Sequence, residues 1–326
     1  MHCATCECFD RNFVGVAFSP YTKQKEVNGR FPSYDSYDIK DVKRQLLAIS
    51  TKFNRISTYG MGTNYFNHRD DWDKADSICL IAKAAAQLNA EYGQKLFTFS
   101  QGVYQQPDSE LQRIEIKRAF SAANYANKLF PGTVESIIFT NEYFVENSMG
   151  GRVFEMIKSN KALAQQLGLA IGTRTHIGYH IFDPKSPSYD SLKDIVEISD
   201  IIMCNINPAS YYANFDINYA VYELSCFYYG LKNRFTMINP QIKVVIGESG
   251  WPSQGISPNG RPASVSNLVY YWKSLGNWAS LYKVPLYFFE AMDEPWKEDF
   301  DKSQAHLGWW VRDGDNFIEK AHSSLL

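Results

Sequence analysis

Short apolar runs rich in β-branched and aromatic residues recur eight times along the chain, and a segment with helical spacing separates each from the next. The predicted strands are Phe13–Phe18, Asn54–Tyr59, Leu96–Ser100, Ser136–Glu142, Leu169–Thr175, Asp200–Asn205, Ile242–Glu248 and Val284–Glu290. Helices are predicted over 38–50, 72–92, 107–129, 153–167, 189–198, 218–232 and 265–281, followed by a helical tail. Strict alternation of this kind makes a parallel sheet wrapped by helices. Eight parallel strands left open would expose two edges, so closure into a single α/β domain, a (β/α)8 TIM barrel, is the expected architecture. No linker or charge block divides the 326 residues. The expected organisation is an N-terminal tail over 1–10 and one barrel over 11–326.

In such a barrel the carboxyl ends of the strands carry the chemistry. Glu142 closes the fourth run and Glu248 the seventh, so both fall on that face. Carboxylates are costly to bury without a partner or a task, and a three-strand offset sets the pair across one pocket. Two facing carboxyls are the requirement of glycoside cleavage, about 5 to 5.5 Å apart for retention and roughly 6.5 to 9.5 Å for inversion. In this reading Glu142 is the acid/base, kept protonated by its neighbour's charge and partial desolvation, while Glu248 stays ionised and attacks the anomeric carbon.

Aromatic residues reach 15% of the chain, and Tyr59, Tyr211, Trp251 and Trp296 fall on loops at the active face. Flat rings stack on the apolar faces of sugars, so these are candidate substrate-binding residues. A formal net charge of −2 excludes broad attraction to nucleic acid or to an anionic membrane, and a monomer is expected. Cys3, Cys6 and Cys8 lack a second ligand pair at suitable spacing, and His176 with His180 lacks a third ligand, so no metal is expected. The first residues do not have the form of a signal peptide and no Asn-X-Ser/Thr acceptor occurs, which favours a cytoplasmic setting unless a leader has been removed.

The stretches Gly247-Glu-Ser-Gly-Trp-Pro252 and Tyr287-Phe-Phe-Glu-Ala-Met-Asp-Glu-Pro-Trp-Lys297 resemble glycoside hydrolase family 17, the endo-β-1,3-glucanases and related glucan transglycosylases. Val16–Tyr21, Thr58–Gly60, Thr140–Glu142 and Ala305–Gly308 extend the likeness from Phe13 to about Trp310. The resemblance implies a retaining β-glucan hydrolase with no cofactor, β-1,3-linked substrate, Glu142 as proton donor and Glu248 as nucleophile. It further implies that Asn141 and Glu290 bind substrate, and that Glu294 and Lys297 form a charged network beside the nucleophile. A transglycosylase using the same pair, or a non-catalytic glycan-binding barrel, are the alternatives. Three positions depart from the family pattern. Ser57 stands where an arginine is usual, with Arg55 one layer deeper on the same face. Asn207-Pro-Ala-Ser-Tyr211 replaces a Tyr/His-Pro-Tyr/Phe pattern, and Gln304 replaces a glutamate. Loss of one cation and one anion together is expected to leave the site's charge balanced.

Overall fold

The computed structural model describes residues 9–33, 36–64, 66, 71–74, 76–143, 147–176, 185, 189–208, 216–255, 263–299 and 302–322. Eight strands close in chain order into one parallel barrel: β1 (Val14–Ala17), β2 (Arg55–Ser57), β3 (Thr98–Val103), β4 (Val134–Asn141), β5 (Ala170–His176), β6 (Ile201–Asn205), β7 (Lys243–Ser249) and β8 (Leu286–Phe288). β8 completes the circle against β1, with Val14 opposite Leu286 and Val16 opposite Phe288. Around it lie α1 (Ile39–Ser50), α2 (Leu80–Tyr92), α3 (Ser109–Leu129), α4 (Asn147–Gln166), α5 (Tyr189–Ile198), α6 (Ala220–Ile238) and α7 (Val265–Tyr282). The (β/α)8 TIM barrel expected from the alternation is the fold.

Side-chain alternation splits the core in two. Along β7, Val244 and Ile246 join the large cluster shared with the helices, while Val245 joins Ile138, Ile201, Met203 and Tyr287 inside the barrel. Local sequence sets the helix starts. Asp38 accepts from the Asp41 amide at 2.7 Å, Asp108 from the Glu110 amide at 2.8 Å and Ser264 from the Asn267 amide at 3.0 Å, each satisfying a donor that the first helical turn leaves open.

Three expectations change. The helix foreseen from Trp72 begins at Leu80, because Asp76 is extended and turns its carboxylate onto the Ile78 amide at 2.9 Å. In place of a helical tail, β9 (Trp310–Asp313) and β10 (Asn316–Glu319) form an antiparallel hairpin. With Asp313 opposite Asn316, Gly314-Asp315 is a two-residue hairpin loop, and Gly314 supplies its first position with φ 58. Arg312 on that hairpin bonds Asp41 at 2.6 Å and Thr22 at 2.8 Å, tying it to α1 and to the loop after β1. Finally, Phe9 is part of the folded body rather than of a tail: it is buried against Phe53 and Phe288, with ring centroids 5.9 and 5.6 Å away.

Candidate active site

Both glutamate-bearing strands break register just before their carboxylate. On β4, Phe139 pairs with Thr173 but Asn141 pairs with Arg174, so Thr140 is an extra residue. Thr140 and Glu142 have φ of 59 and 52, a left-handed conformation that is strained for a β-branched threonine. Between β6 and β7, Cys204 pairs with Ile246 and Asn205 with Glu248, leaving Gly247 extra. A Cβ at Gly247 would stand 2.7 Å from Asn205 Oδ1 and 2.9 Å from Met203 Cβ, so only glycine fits. Bulges at barrel rims re-aim side chains, and here each turns a glutamate toward the mouth.

Glu142 and Glu248 line one cavity of about 560 Å³ at the carboxyl end of the barrel. Asn205, at the tip of β6, touches both. Its amide donates to Glu142 Oε1 at 2.9 Å, and its hydrogen bond also favours the charged form of Glu248. Glu248 is only 6% exposed, and burial pushes its carboxyl up to about 7 in spite of the Arg174 cation 3.9 Å away, with Glu142 adding to the rise and Lys297 opposing it. Burial thus works against the ionised form expected of Glu248, and Arg174, Lys297 and Asn205 work for it.

The cation beside Glu248 comes from an unexpected strand. Arg174 on β5 is 1% exposed, crosses the barrel interior, and donates to Ser57 Oγ and to the Thr58 carbonyl, the latter at 3.4 Å. Its guanidinium lies 4.5 Å from the centre of the Tyr59 ring. The small Ser57 side chain leaves the room that the guanidinium fills, so the site has not lost its cation. Arg55 sits deeper, paired with Glu135.

A second charged group follows β8. Lys297 Nζ bonds Glu290 at 2.7 and 2.8 Å and also bridges Glu294. Glu294 accepts from the Trp296 indole at 3.0 Å and from Ser19. Burial, and then the Glu294 charge, push Glu290 well above the usual carboxyl range. Burial pushes Glu294 the same way, but Lys297 outweighs it and holds Glu294 below its ordinary value. Lys297, which burial alone would depress, is held above its usual value by the two carboxylates. The two acids and the ammonium they share make one compact, tightly coupled group.

Of the residues singled out from sequence, Tyr59, Asn141, Glu142, Glu248, Glu294, Trp296 and Lys297 line the cavity. Glu290 lies behind Lys297 and is 1% exposed. Trp251 does not reach the cavity: it is 1% exposed and packs on Tyr271 with ring centroids 5.5 Å apart. Gly250 and Pro252 on either side of it do line the wall, so the loop is at the site while the indole anchors it from behind. Tyr211 and His180 lie outside the described residues. Asn205 and Arg174 were not foreseen as site residues, although each is a polar group in an otherwise buried strand, the same signal that marked Glu142 and Glu248. Among the described residues no cluster of three metal-ligating side chains occurs. The Glu248 Oε1 and Tyr59 Oη atoms are buried without a hydrogen-bond partner among the described residues, and both belong to cavity-lining side chains. Buried polar atoms of this kind are where a polar ligand gains most.

The fold has solved relatives. An endo-laminarinase from Formosa Hel1_33_131 superposes with a TM-score of 0.70 at 16% identity, over 93% of this chain and 84% of that one. A glycoside hydrolase family 17 β-1,3-glucanosyltransferase from Rhizomucor miehei gives 0.66 at 19% identity, over 94% and 96%. A plant β-glucan endohydrolase gives 0.53 at 15% identity, over 94% and 98%. A search of curated proteins finds no match. The sequence profile of the BtgE/BtgC glycoside hydrolase domain matches residues 15–309, from β1 through the last turn before the hairpin. That span includes all eight barrel strands but for the first residue of β1, together with the whole of the cavity wall, and the chain belongs to the BtgE/BtgC glycoside hydrolase family.

Proposed function

We propose that the chain is a retaining glycosidase acting on β-glucan, with Glu142 as acid/base and Glu248 as nucleophile. The observation that carries this reading is the Asn205 side chain, which bonds Glu142 at 2.9 Å and also stabilises Glu248. Both carboxyls line one cavity beside this amide, the arrangement in which one carboxylate can attack the sugar while the other serves the leaving oxygen. In the first step a Glu248 oxygen attacks C1 of the glucosyl unit, the C1–O bond to the leaving sugar breaks, and Glu142 gives its proton to that oxygen. In the second step water attacks C1, Glu142 takes the water proton, and the ester to Glu248 breaks. Two inversions restore the β configuration. An acceptor sugar hydroxyl in place of water gives transfer by the same chemistry. β-1,3-linked glucan is the substrate favoured by the names of the laminarinase and glucanosyltransferase relatives, taken with the aromatic walls of the cavity.

Glu248→Ala tests the assignment. Turnover of an activated aryl β-glucoside is expected to vanish, and azide is expected to restore it in part with an α-configured glycosyl azide as product, since a small anion fits where the carboxylate stood. Turnover equal to that of the wild type would refute the role given to Glu248.

A further inference from the structure

A second cavity, of about 380 Å³, opens beside the first. The two share a wall, since Tyr21 and Trp296 line both. Its other faces include Lys23, Phe31 and Tyr37, all from the loop between β1 and α1. The volume falls in the range of small-molecule sites, roughly 300 to 1,000 Å³.

This pocket is built rather than incidental. Tyr37 is 3% exposed and its oxygen accepts the Lys23 amide at 3.1 Å, while burial pushes its phenol up to about 12, so the hydroxyl stays neutral. Tyr21 donates to the Asp76 carboxylate at 2.7 Å and meets Tyr37 edge-on, with centroids 6.0 Å apart. Lys25 reaches across from the same loop to Asp299 at 2.6 Å, tying it to the turn that carries Trp296. Phe31 is partly exposed under Lys25, whose ammonium lies 4.8 Å from the ring centre. Rigid aromatic rings with neutral hydroxyls at their edges suit a sugar, whose faces are apolar and whose rim is polar.

Barrel topology gives the polarity. In a ring of eight strands β4 stands opposite β8, so Glu142 faces Trp296 across the mouth, and Glu248 on β7 is next to β8. An acid/base must lie on the leaving-group side of the bond it breaks, and a nucleophile beneath the sugar that it retains. The leaving side of the cleft is therefore the Glu142 wall, where Tyr104 also feels that charge. The retained side runs toward β8 and β1.

We propose that the second cavity is a glycone-side subsite, filled by glucosyl units that precede the one under attack, with Phe31 and Trp296 as stacking platforms. The proposal rests on the glycosidase reading and deepens it: substrates long enough to reach this cavity are preferred over short ones.

Phe31→Ala is the test, read on an aryl β-glucoside, which is too short to reach the cavity, and on a linear β-1,3-gluco-hexasaccharide. kcat/KM for the hexasaccharide is expected to fall about tenfold with little change on the aryl glucoside. The bond cleaved in a reducing-end-labelled hexasaccharide is expected to shift toward the non-reducing end. Equal losses on both substrates, or no loss on either with an unchanged cleavage pattern, overturn the subsite. Should the wild type cleave no glucan, the glycosidase reading fails by itself. The cavity is then read by calorimetric titration of the hexasaccharide into wild type and Phe31→Ala: weaker binding by the variant supports it, and equal affinity or no binding to either overturns it.

Discussion

Asn205 donates to Glu142 Oε1 at 2.9 Å from the tip of the neighbouring sixth strand but one, and the same side chain lowers the cost of charging Glu248. A neutral amide between two carboxylates can fix their spacing without adding charge to either. Asn205→Ala should lower kcat/KM by roughly tenfold to a hundredfold, the value of a hydrogen bond to a charged group, with a smaller change in KM. Steady-state kinetics on an oligosaccharide checks this; parameters equal to those of the wild type would remove Asn205 from the machinery.

Arg174 is the cation nearest Glu248, at 3.9 Å, and it draws the Glu248 carboxyl down against the upward push of burial. Taking it away removes the largest opposition to burial and leaves only Lys297 and Asn205, so the proton leaves Glu248 at higher pH. Arg174→Met should therefore move the acidic limb of the kcat/KM profile upward by about one pH unit or more, and Arg174→Lys should move it less. An unmoved limb in the methionine variant would show that the guanidinium serves packing alone.

The same burial predicts a dependence of stability on pH. Glu248 has a folded value of about 7 against an ordinary 4.5, so between those pH values the folded protein holds more protons than the unfolded chain. The favourable contribution of the protonated group is intact below the ordinary value and is lost as pH rises to 7, for a total of roughly 3 kcal/mol. Glu248→Gln keeps the shape without the charge. Its stability in urea should exceed that of the wild type by more at pH 8 than at pH 4.5. An equal difference at both pH values would contradict the raised carboxyl.

Much of this was legible in the sequence because the signals were periodic. Alternating strand and helix runs define the barrel, and acids at strand ends mark Glu142 and Glu248 without any view of the packing. What escaped depends on contacts between distant segments. Nothing local distinguishes Gly247 as a bulge until Asn205 and Met203 crowd it. Arg174 can be placed beside Ser57 only after β5 and β2 face each other across a closed barrel. Trp251 looks like a sugar platform from its loop, yet Tyr271 on α7 claims the ring. The Gly314-Asp315 loop of the β9–β10 hairpin was a readable turn signal that the expectation of a helical tail passed over.

Covalent trapping is the most direct test of the glutamate assignment. Incubation with an activated 2-deoxy-2-fluoro-β-glucosyl donor slows both steps, and a good leaving group lets the first outrun the second. Intact mass should rise by one fluoroglycosyl unit, with the label mapped by peptide sequencing to Glu248. A label on another residue, or turnover of the parent substrate to the inverted anomer with no adduct, would contradict the retaining mechanism proposed for this pair.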